Sequence, residues 1–467
     1  MNDKNVYTHV YFIGIGGIGM SALARYFQLK GSRVYGYDLT PSPLTETLEK
    51  EGIPVHYADC PEYVASLGLD MKTTLVVYTP AVPLQLGELQ YFIQGGYHVV
   101  KRSEALGKAV QKDRLLAVAG THGKTTTSSL LAHLLYRSEI GTNAFLGGIS
   151  ANYSSNLLLH PTSPYVVVEA DEYDRSFHHL YPHMAIVTSM DPDHLDIYGT
   201  PEGYREGFSQ FMQQIEDGGV LVCKKEIRSL VPQLQESVSV YTYAVEEEAD
   251  SYSDHIRFGQ GRLYFDWHFP KYQVHLHNIE LGVPIVINVE NATAALTLAY
   301  LVGVTESEMR DALSSFRGIH RRFERLIDTA DCVFIDDYAH HPEELRASIS
   351  SVRRLYPQDK ITGIFQPHLY SRTQDFYKEF AKVLSLLDEV ILLPIYPARE
   401  KPIPGVTSEL ILESITQSQK SLIDRDQVVE KLRSREHLNR VILTLGAGNI
   451  DRIVPTLRDM LTERFGH

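Results

Sequence analysis

The stretch LLAVAGTHGKTTTSSLLAHLL, residues 115–135, constrains the fold of this chain more than any other. It joins an apolar, strand-like run, a turn with two glycines and a helix-like segment. Small residues at Gly120 and Gly123 let backbone N–H groups surround a phosphate, and the helix N-terminus adds positive potential there. A strand, a phosphate loop and a helix in this order predict an α/β domain.

The side chains in this turn favour ATP as its ligand. Lys124 has the position from which an amine reaches the β and γ phosphates, and the Thr125 hydroxyl can bind Mg²⁺. A full P-loop would have glycine where Val118 stands, so the sequence is a shortened variant. The alternative is a glycine-rich turn with an incidental lysine. The predicted ATP-binding residues here are Gly120, Thr121, His122, Gly123, Lys124, Thr125 and Thr126.

A second glycine-rich turn, YFIGIGGIGMSALA, occupies residues 11–24. Its G-x-G-x-x-G pattern, with Asp38 closing the next apolar segment, is typical of dinucleotide-binding folds. Alone, it fits NAD or another diphosphate equally well. An ATP loop further along the chain favours a second nucleotide-bearing substrate. The predicted binding residues are Gly14, Gly16, Gly17, Ile18, Gly19 and Asp38.

The order of apolar and helix-like segments indicates an α/β protein of three domains. Strand-like runs alternate with helix-like segments up to about residue 110, and residues 107–114 resemble a polar linker. A second α/β series follows, and between about 236 and 288 polar and apolar residues alternate as in an antiparallel sheet. A third series runs to the end. We therefore expect domains at 1–112, 113–326 and 327–467, with Rossmann-like first and third domains.

The composition of the chain indicates which kinds of molecule it can bind. The 467 residues carry a formal net charge of −14, which disfavours nucleic acid and anionic membranes as partners. The N-terminal residues lack the pattern of a signal peptide, and no apolar run is long enough to span a bilayer. Three scattered cysteines suit a reducing compartment. We expect a cytoplasmic enzyme that is a monomer or homodimer.

Two acidic clusters follow predicted strands after the ATP loop. VVVEADEYD contains Glu169, and MDPDHLDIYG contains His194. Ligands of open α/β sheets bind at the carboxyl ends of strands, and Mg²⁺ prefers oxygen ligands. Solvated loop acids are the alternative for any single residue. We predict Thr125, Glu169 and His194 as the Mg²⁺ ligands.

Motifs along nearly the whole chain resemble those of the Mur ligases, which build the peptide stem of the bacterial cell wall. They occur in the family's order, between residues 13 and 450: GIGGIGMSALA, AGTHGKTTT, EADEYD, DPDHLDIYG, NATAA, FRGIHRRFERL, DDYAHHP, FQPHLYSRT, IYPAREKPIPG and LGAGNI. The third-domain motifs DDYAHHP, FQPHLYSRT and IYPARE resemble those of the member that adds alanine.

The resemblance implies three domains that bind a UDP-sugar, ATP and an amino acid in turn. The expected substrates are UDP-N-acetylmuramate, ATP and L-alanine, with Mg²⁺ as cofactor. ATP would phosphorylate the lactyl carboxylate, and the amine of alanine would displace phosphate from the acyl phosphate. The first glycine loop would then hold the UDP diphosphate rather than NAD.

The resemblance also implies roles for individual residues. Lys124 would neutralise the β and γ phosphates, and Thr125, Glu169 and His194 would bind Mg²⁺. Asn291 would contact adenine, Arg322 the ATP phosphates and Asp337 the ribose. His340, His368 and Arg372 would line the amino-acid site. The chain departs from the family at Ile287, where histidine is common, and at Leu369, where a basic residue is common.

Three alternatives remain open at this point. A recycling ligase that joins UDP-N-acetylmuramate to a ready-made tripeptide shares the architecture. An NAD-dependent oxidoreductase would use the first glycine loop but leaves Lys124 and both acidic clusters unexplained. A nucleotide-binding regulator without activity is the third.

Overall fold

The computed structural model describes residues 7–79, 81–398, 400–417 and 419–466, apart from the side chains of residues 195 and 196. The chain is an α/β protein whose sheets are mostly parallel, as the sequence predicts. It divides into two compact units. Unit 1 contains the described residues of 1–252, 268–274 and 291–312, and unit 2 those of 253–267, 275–290 and 313–467.

The first sheet of unit 1 is parallel and has the strand order β3-β2-β1-β4-β5. Its strands are β1 (His9–Ile13), β2 (Arg33–Tyr37), β3 (Val55–His56), β4 (Thr74–Tyr78) and β5 (His98–Lys101). Its helices are α1 (Ile18–Leu29), α2 (Pro43–Lys50), α3 (Pro61–Ser66), α4 (Gly87–Gln94) and α5 (Arg102–Val110). The order reverses between β1 and β4, which is where doubly wound sheets bind ligands.

The second sheet of unit 1 contains the order β12-β11-β10-β6-β9-β7-β8. Its strands are β6 (Arg114–Ala119), β7 (Asn143–Ser150), β8 (Ser155–Leu158), β9 (Tyr165–Glu169), β10 (Met184–Val187), β11 (Val220–Lys224) and β12 (Ser239–Val245). The accompanying helices are α6 (Lys124–Arg137), α7 (Leu195–Tyr198) and α8 (Pro201–Gln213). Among these described strands, β7 and β8 pair antiparallel and the other neighbours pair in parallel. Residues 116–119 of β6 are fully buried, as expected for a central parallel strand.

One apolar core joins the two sheets of unit 1. It extends from Val10 on β1 to Ile227 and includes residues of both sheets. Tyr26 on α1 meets Phe145 on β7 edge to face, with ring centroids 5.1 Å apart. Asn156 donates a hydrogen bond of 2.7 Å to the carbonyl of Ile18. Helix α1 is therefore held between the sheets, and its N-terminus follows the first glycine loop.

The chain continues through β13 (Ser251–Gly259), β14 (Arg262–Phe269) and β15 (Val274–Leu281), then α9 (Val286–Val302) and α10 (Glu306–Ser315). Strands β13, β14 and β15 are neighbours in that order. Because residues 260–261 alone connect β13 to β14, this pair is antiparallel.

The third sheet lies in unit 2 and has the order β16-β17-β21-β18-β19-β20. Its strands are β16 (Glu324–Asp328), β17 (Val333–Asp337), β18 (Ile361–Phe365), β19 (Glu389–Leu392), β20 (Lys420–Leu422) and β21 (Val441–Leu445). Its helices are α11 (Pro342–Leu355), α12 (Tyr370–Leu384), α13 (Ser408–Ser414), α14 (Val428–Arg433) and α15 (Val454–Phe465). Strand β16 is antiparallel to β17 and the other pairs are parallel.

Two local predictions differ from the structure. The first half of the predicted linker at 107–114 is helix, because α5 extends to Val110 and buries this side chain in the core. Strand β12 lies in the stretch predicted as antiparallel, yet it pairs in parallel with β11. The predicted boundaries at 112 and 326 stay predictions. Among the described residues, no helix combines the length and apolarity that crossing a membrane requires.

Candidate active site

The ATP loop, the acid cluster and His194 follow three neighbouring strands. The loop follows β6, the cluster containing Glu169 follows β9, and His194 follows β10. These strands are adjacent in the order β10-β6-β9 and run in parallel. Their carboxyl ends therefore meet at one edge of the sheet, as the sequence predicts for a ligand site.

Gly123 ends the loop at the N-cap of α6 and has φ of +80°. A Cβ there would lie 2.6 Å from Asn291 Oδ1, so both the backbone conformation and the space favour glycine. Asn291 is buried on α9 and accepts a 3.1 Å hydrogen bond from the Thr127 hydroxyl. The predicted adenine residue thus contacts the start of the loop's helix.

Lys124 is folded back onto its own loop. Its Nζ donates hydrogen bonds of 2.6 Å to Gly120 O and 2.8 Å to Glu172 Oε1. The Glu172 side chain is only 2 % exposed. Burial raises the pKa of Glu172, while the nearby Lys124 opposes this shift. His194 Nε2 lies 4.0 Å from the same oxygen, so Glu172 stands between the predicted phosphate lysine and the predicted metal ligand.

Thr125 and Glu169 are in direct contact. The Thr125 hydroxyl donates a 2.9 Å hydrogen bond to Glu169 Oε1, and Gly147 N–H donates one of 3.0 Å to Oε2. Burial raises the pKa of Glu169, while Thr125 and Lys124 act to lower it. The structure therefore joins Thr125 with Glu169, and His194 with Glu172.

The remaining loop residues have different surroundings. The Thr121 hydroxyl lies 2.7 Å from Asp191 O and 2.8 Å from Tyr204 Oη, which fixes it against the next strand end. His122 points outward with its side chain 75 % exposed. Thr126 is half-buried in the first turn of α6.

The first glycine loop turns between β1 and α1, beside the position where the sheet order reverses. Gly16 N–H donates a 2.7 Å hydrogen bond to Asp38 Oδ2. Helix α1 begins at Ile18 with Gly17 as its N-cap. Asp38 therefore holds the loop, while the helix N-terminus supplies the positive potential that a diphosphate requires.

Two cations that the sequence interpretation missed face this loop. Lys101 ends β5 and Arg102 begins α5, and both line one cleft with Gly17 and Gly19. Asp171, from the acid cluster after β9, lines the same cleft, and its Oδ2 lies 3.9 Å from Arg102 Nη2. The sequence did contain a signal for these two cations. The residues KRS come directly after a predicted strand, at the edge where parallel sheets bind ligands. Glu172 lies in the motif EADEYD and could likewise have been proposed as a site residue.

In unit 2, Asp337 ends β17. It is buried, and this burial raises its pKa to about 6, while the charge of Arg322 opposes the shift. Its Oδ1 accepts a 3.3 Å hydrogen bond from Ala339 N–H. The guanidinium of Arg322 lies 5.4 Å from the centroid of the Tyr338 ring. Both residues predicted to contact ATP therefore lie around the turn after β17.

His340, His368 and Arg372 are brought together at the same edge of the third sheet. The rings of His340 and His368 are 5.9 Å apart. Burial lowers the pKa of both histidines, and the charge of Arg372 lowers each further. His368 Nδ1 and Arg372 Nη1 are buried without a hydrogen-bond partner among the described residues. Two buried polar atoms of this kind indicate a place for a polar ligand.

His340 has its protonated nitrogen defined by its neighbours. Nδ1 lies 3.0 Å from the carbonyl oxygen of Tyr338, which can only accept a hydrogen bond. Nδ1 therefore carries the proton, and in the neutral ring Nε2 keeps its lone pair. The adjacent His341 instead caps α11 together with Glu344.

Leu369, where the family commonly has a basic residue, has an unusual backbone. It is the N-cap of α12 with φ of +71° and ψ of 139°. This conformation costs a side-chain-bearing residue roughly 1–3 kcal/mol and is found mostly at functional sites. It turns the chain between His368 and the helix that carries Arg372.

Three family models match the chain. The Mur ligase middle domain matches residues 118–299, the "Mur ligase family, catalytic domain" matches 9–114, and the "Mur ligase, glutamate ligase domain" matches 321–448. The chain belongs to the Mur ligase family.

Individual proteins of the family are similar to this chain over nearly its whole length. The UDP-N-acetylmuramate–L-alanine ligase of Porphyromonas gingivalis is 56 % identical over 453 residues, covering 97 % of this chain and 98 % of the relative. The protein of that name from Parabacteroides distasonis is 52 % identical over 466 residues, covering 99 % of each. The crystal structure of UDP-N-acetylmuramate-alanine ligase from Thermotoga maritima is 26 % identical, with a TM-score of 0.78, and covers 98 % of this chain and 99 % of that one.

Proposed function

We propose that this chain is an ATP-dependent ligase that joins L-alanine to the lactyl carboxylate of UDP-N-acetylmuramate, with ADP and phosphate as products. The observation that carries this proposal is the near full-length identity of 56 % to a ligase of that name. The geometry of each predicted site agrees in chemistry with one of the three substrates.

The first step needs cations because two anions must approach each other. A carboxylate oxygen of the lactyl group forms a bond to the γ phosphorus, and the bond from that phosphorus to the β,γ-bridging oxygen breaks. Lys124 is placed to neutralise the transferring phosphoryl group once ATP displaces its contacts to Gly120 O and Glu172. Glu172 holds the lysine over the loop until then.

The residues around Thr125 fit Mg²⁺. A hydroxyl and a buried carboxylate are oxygen donors of the kind this ion prefers, and a cation would offset the burial that raises the pKa of Glu169. Thr125 and Glu169 would hold the ion, with His194 as the third predicted ligand. When bound, Mg²⁺ screens the phosphate charges and orients them.

The second step needs a neutral amine. Its nitrogen attacks the carbonyl carbon of the acyl phosphate, the bond from that carbon to the phosphate oxygen breaks, and the departing phosphate takes the second proton that the nitrogen loses. We assign the proton of the incoming ammonium group to His340 Nε2, because burial lowers the pKa of His340, which favours its neutral form, and Nδ1 is already protonated. Arg372 would bind the carboxylate of alanine through its unpartnered Nη1.

The UDP-sugar would lie on the first glycine loop. Its diphosphate would meet the N-terminus of α1, with Lys101 and Arg102 lining the cleft beside it. In this proposal the glycine loop binds a UDP-sugar rather than NAD. An oxidoreductase would leave the ATP loop without a purpose.

Substrate selection tests the proposal. Phosphate release from ATP should be measured with UDP-N-acetylmuramate and each of the twenty amino acids, and with the tripeptide that a recycling ligase would accept. We expect L-alanine to give the highest kcat/KM and the tripeptide to give no turnover above background. Preferential use of the tripeptide would contradict the alanine assignment but keep the family chemistry. If none of these acceptors gives turnover, the remaining interpretation is a nucleotide-binding regulator without activity.

A further inference from the structure

We propose that Tyr173 selects the UDP-sugar substrate by packing its ring against the sugar. Tyr173 lies in the acid cluster that follows β9, and the phosphate and metal roles assigned above leave it without a function. The inference rests on the proposed function, because it adds one contact to the same substrate. The contact binds the sugar and takes no part in the chemical steps.

Tyr173 adjoins two of the sites described above. It lines one cleft together with Gly17 and Gly19 of the first glycine loop. Its ring also meets the ring of His194 edge to face, with centroids 5.2 Å apart. Despite these neighbours Tyr173 is 46 % exposed. A large aromatic side chain is therefore accessible where the predicted diphosphate site and a predicted metal ligand come together.

The covalent structure of UDP-N-acetylmuramate puts its sugar in the same place. One carbon of the sugar ring carries the diphosphate, and another carries the lactyl ether. With the diphosphate on the first glycine loop, the lactyl carboxylate has to reach the γ phosphate of ATP at the start of α6. The sugar ring therefore has to bridge the glycine loop and the ATP site, and Tyr173 adjoins both.

The two ends of the glycine loop distinguish the sugar from the uridine. Asp38 bonds Gly16 N–H, and an acid at this position of a dinucleotide-binding fold contacts the ribose. Asp38 lies outside the cleft that Arg102 and Tyr173 line. A Cβ on Gly19 would collide with the guanidinium of Arg102, so Arg102 packs closely on the first turn of α1. The cleft beside Arg102 is therefore available to the sugar.

The backbone holds Tyr173 in place without using its ring. Tyr173 N–H donates a 3.0 Å hydrogen bond to Asp171 Oδ1. The next residue, Asp174, accepts a 2.7 Å hydrogen bond from Lys101 Nζ. The guanidinium of Arg175 lies 5.3 Å from the centroid of the Tyr198 ring. Because the segment is already fixed, a sugar can pack on the ring with little further loss of conformational entropy.

The chemistry of the cleft suits a sugar. One face of a pyranose ring presents C–H groups that can pack on an aromatic ring, while its hydroxyl and amide groups need polar partners. Lys101 and Asp171 supply such partners in the same cleft. The cleft has a volume of about 480 Å³, within the range of roughly 300–1,000 Å³ for small-molecule sites. The alternative is that Tyr173 only positions His194, and the two roles affect different kinetic constants.

Steady-state kinetics of the full chain test the contact. Tyr173→Ala should raise the KM for UDP-N-acetylmuramate by about 10-fold, the scale for losing the apolar burial of one side chain. Its kcat and its KM for ATP should stay within a few-fold, which also shows that the variant is folded. Tyr173→Phe keeps the ring and should resemble the unaltered chain. Tyr181→Ala is the matched control, because Tyr181 is 61 % exposed and lies outside the cleft.

Inhibition by UDP separates a sugar contact from a disturbed glycine loop. UDP has the diphosphate but lacks the N-acetylmuramate sugar, so its inhibition constant should be the same in Tyr173→Ala and in the unaltered chain. An equal loss of affinity for UDP, or an unchanged KM for UDP-N-acetylmuramate, would overturn the proposal. A raised Mg²⁺ requirement in place of the KM effect would also overturn it and assign Tyr173 to His194. If the unaltered chain does not use UDP-N-acetylmuramate at all, the proposed function fails and this inference with it.

Discussion

At the scale of residues, Lys124 illustrates how a side chain is held over a loop that is predicted to bind phosphate. Its amine is bound to two backbone carbonyls, those of Gly120 and Thr121, and to the buried Glu172. A lysine held over the loop in this way loses little side-chain entropy when ATP arrives. The acid that holds it also lies 4.0 Å from His194, so one carboxylate lies between the loop lysine and this predicted metal ligand.

Replacing this lysine should affect turnover far more than UDP-sugar binding. Lys124→Ala should lose at least ~100-fold in kcat, the scale for removing one preorganised electrostatic donor. Binding of UDP-N-acetylmuramate, measured by calorimetry, should remain because the first glycine loop is unchanged. Lys108→Ala is the control, since Lys108 forms only a partly exposed pair with Glu104. Near-normal turnover of Lys124→Ala would show that this loop is not the ATP site.

Arg372 should determine the affinity for alanine. Its buried Nη1 has no hydrogen-bond partner in the described part of the chain, and Leu369 supplies no second positive charge. Arg372→Ala should therefore raise the KM for L-alanine strongly and leave the KM values for ATP and UDP-N-acetylmuramate within a few-fold. Arg372→Lys should restore the affinity for L-alanine only partly, because a lysine lacks the planar fork of the guanidinium group. Steady-state kinetics with one substrate varied at a time would show this.

The opposite pattern would reassign the residue. If Arg372→Ala abolishes ATP affinity and leaves alanine affinity intact, Arg372 belongs with the nucleotide contacts. Arg353→Ala provides a matched control, since Arg353 pairs with Asp388 and the carbonyl of Leu386. It should change none of the three KM values strongly.

At the scale of elements, the first glycine loop depends on contacts that the sequence pattern does not specify. A Cβ on Gly16 would lie 2.8 Å from Asp38 Oδ2 and 2.9 Å from Thr45 Cγ2. Gly16→Val should therefore displace Asp38 and the loop, and calorimetry should detect no binding of UDP-N-acetylmuramate. Gly259→Ala is the comparison, since a Cβ there would meet nothing within 4 Å and the backbone has no positive φ. Tight binding of NAD by the unaltered chain would contradict the assignment.

Helix α6 carries a buried histidine that links stability to pH. His133 is 2 % exposed, and burial lowers its pKa to about 4. The unfolded chain, with an ordinary histidine pKa of about 6.5, binds more protons between these values. This contribution to the free energy of unfolding is therefore present above pH 6.5 and is lost as the pH falls towards 4.

Urea unfolding at pH 7 and at pH 4 would measure this loss. The unaltered chain should lose up to roughly 3 kcal/mol more than His133→Gln over this range, at about 1.4 kcal/mol for each pKa unit. His437→Gln, at a side chain 92 % exposed, should behave like the unaltered chain. Equal pH dependence in the unaltered chain and in His133→Gln would refute the assignment.

The strand-loop-helix pattern predicted the elements well because it depends on local chemistry. The apolar runs of β6, β9 and β10 and the glycine loop before α6 follow from neighbouring residues alone. The direction of a strand does not follow in this way: alternating polar and apolar residues predict a strand but not its direction, and β12 pairs in parallel with the preceding strand β11. Lys101 and Arg102 were missed because the sequence marks them only as following a predicted strand, whereas their position beside Gly17 and Gly19 depends on the folded sheet. The assigned roles of the site residues remain predictions.

At the scale of the whole molecule, an acidic chain must bind anionic substrates through local groups. With a formal net charge of −14, the chain gains nothing from long-range attraction of a nucleotide. The two helix N-termini in unit 1, with Lys101, Arg102 and Lys124, supply this potential where phosphates are expected. In unit 2, Arg322 and Arg372 do so around the ends of β17 and β18. Each predicted anion is thus matched by a nearby cation.

The transfer of one oxygen atom tests the central claim, that a carboxylate is activated as an acyl phosphate. UDP-N-acetylmuramate labelled with ¹⁸O in its lactyl carboxylate should be converted with ATP and L-alanine, and the released phosphate analysed by mass spectrometry. We predict one ¹⁸O atom in each phosphate molecule, because the attacking carboxylate oxygen leaves with the phosphoryl group. Unlabelled phosphate formed together with the alanyl product would contradict this account.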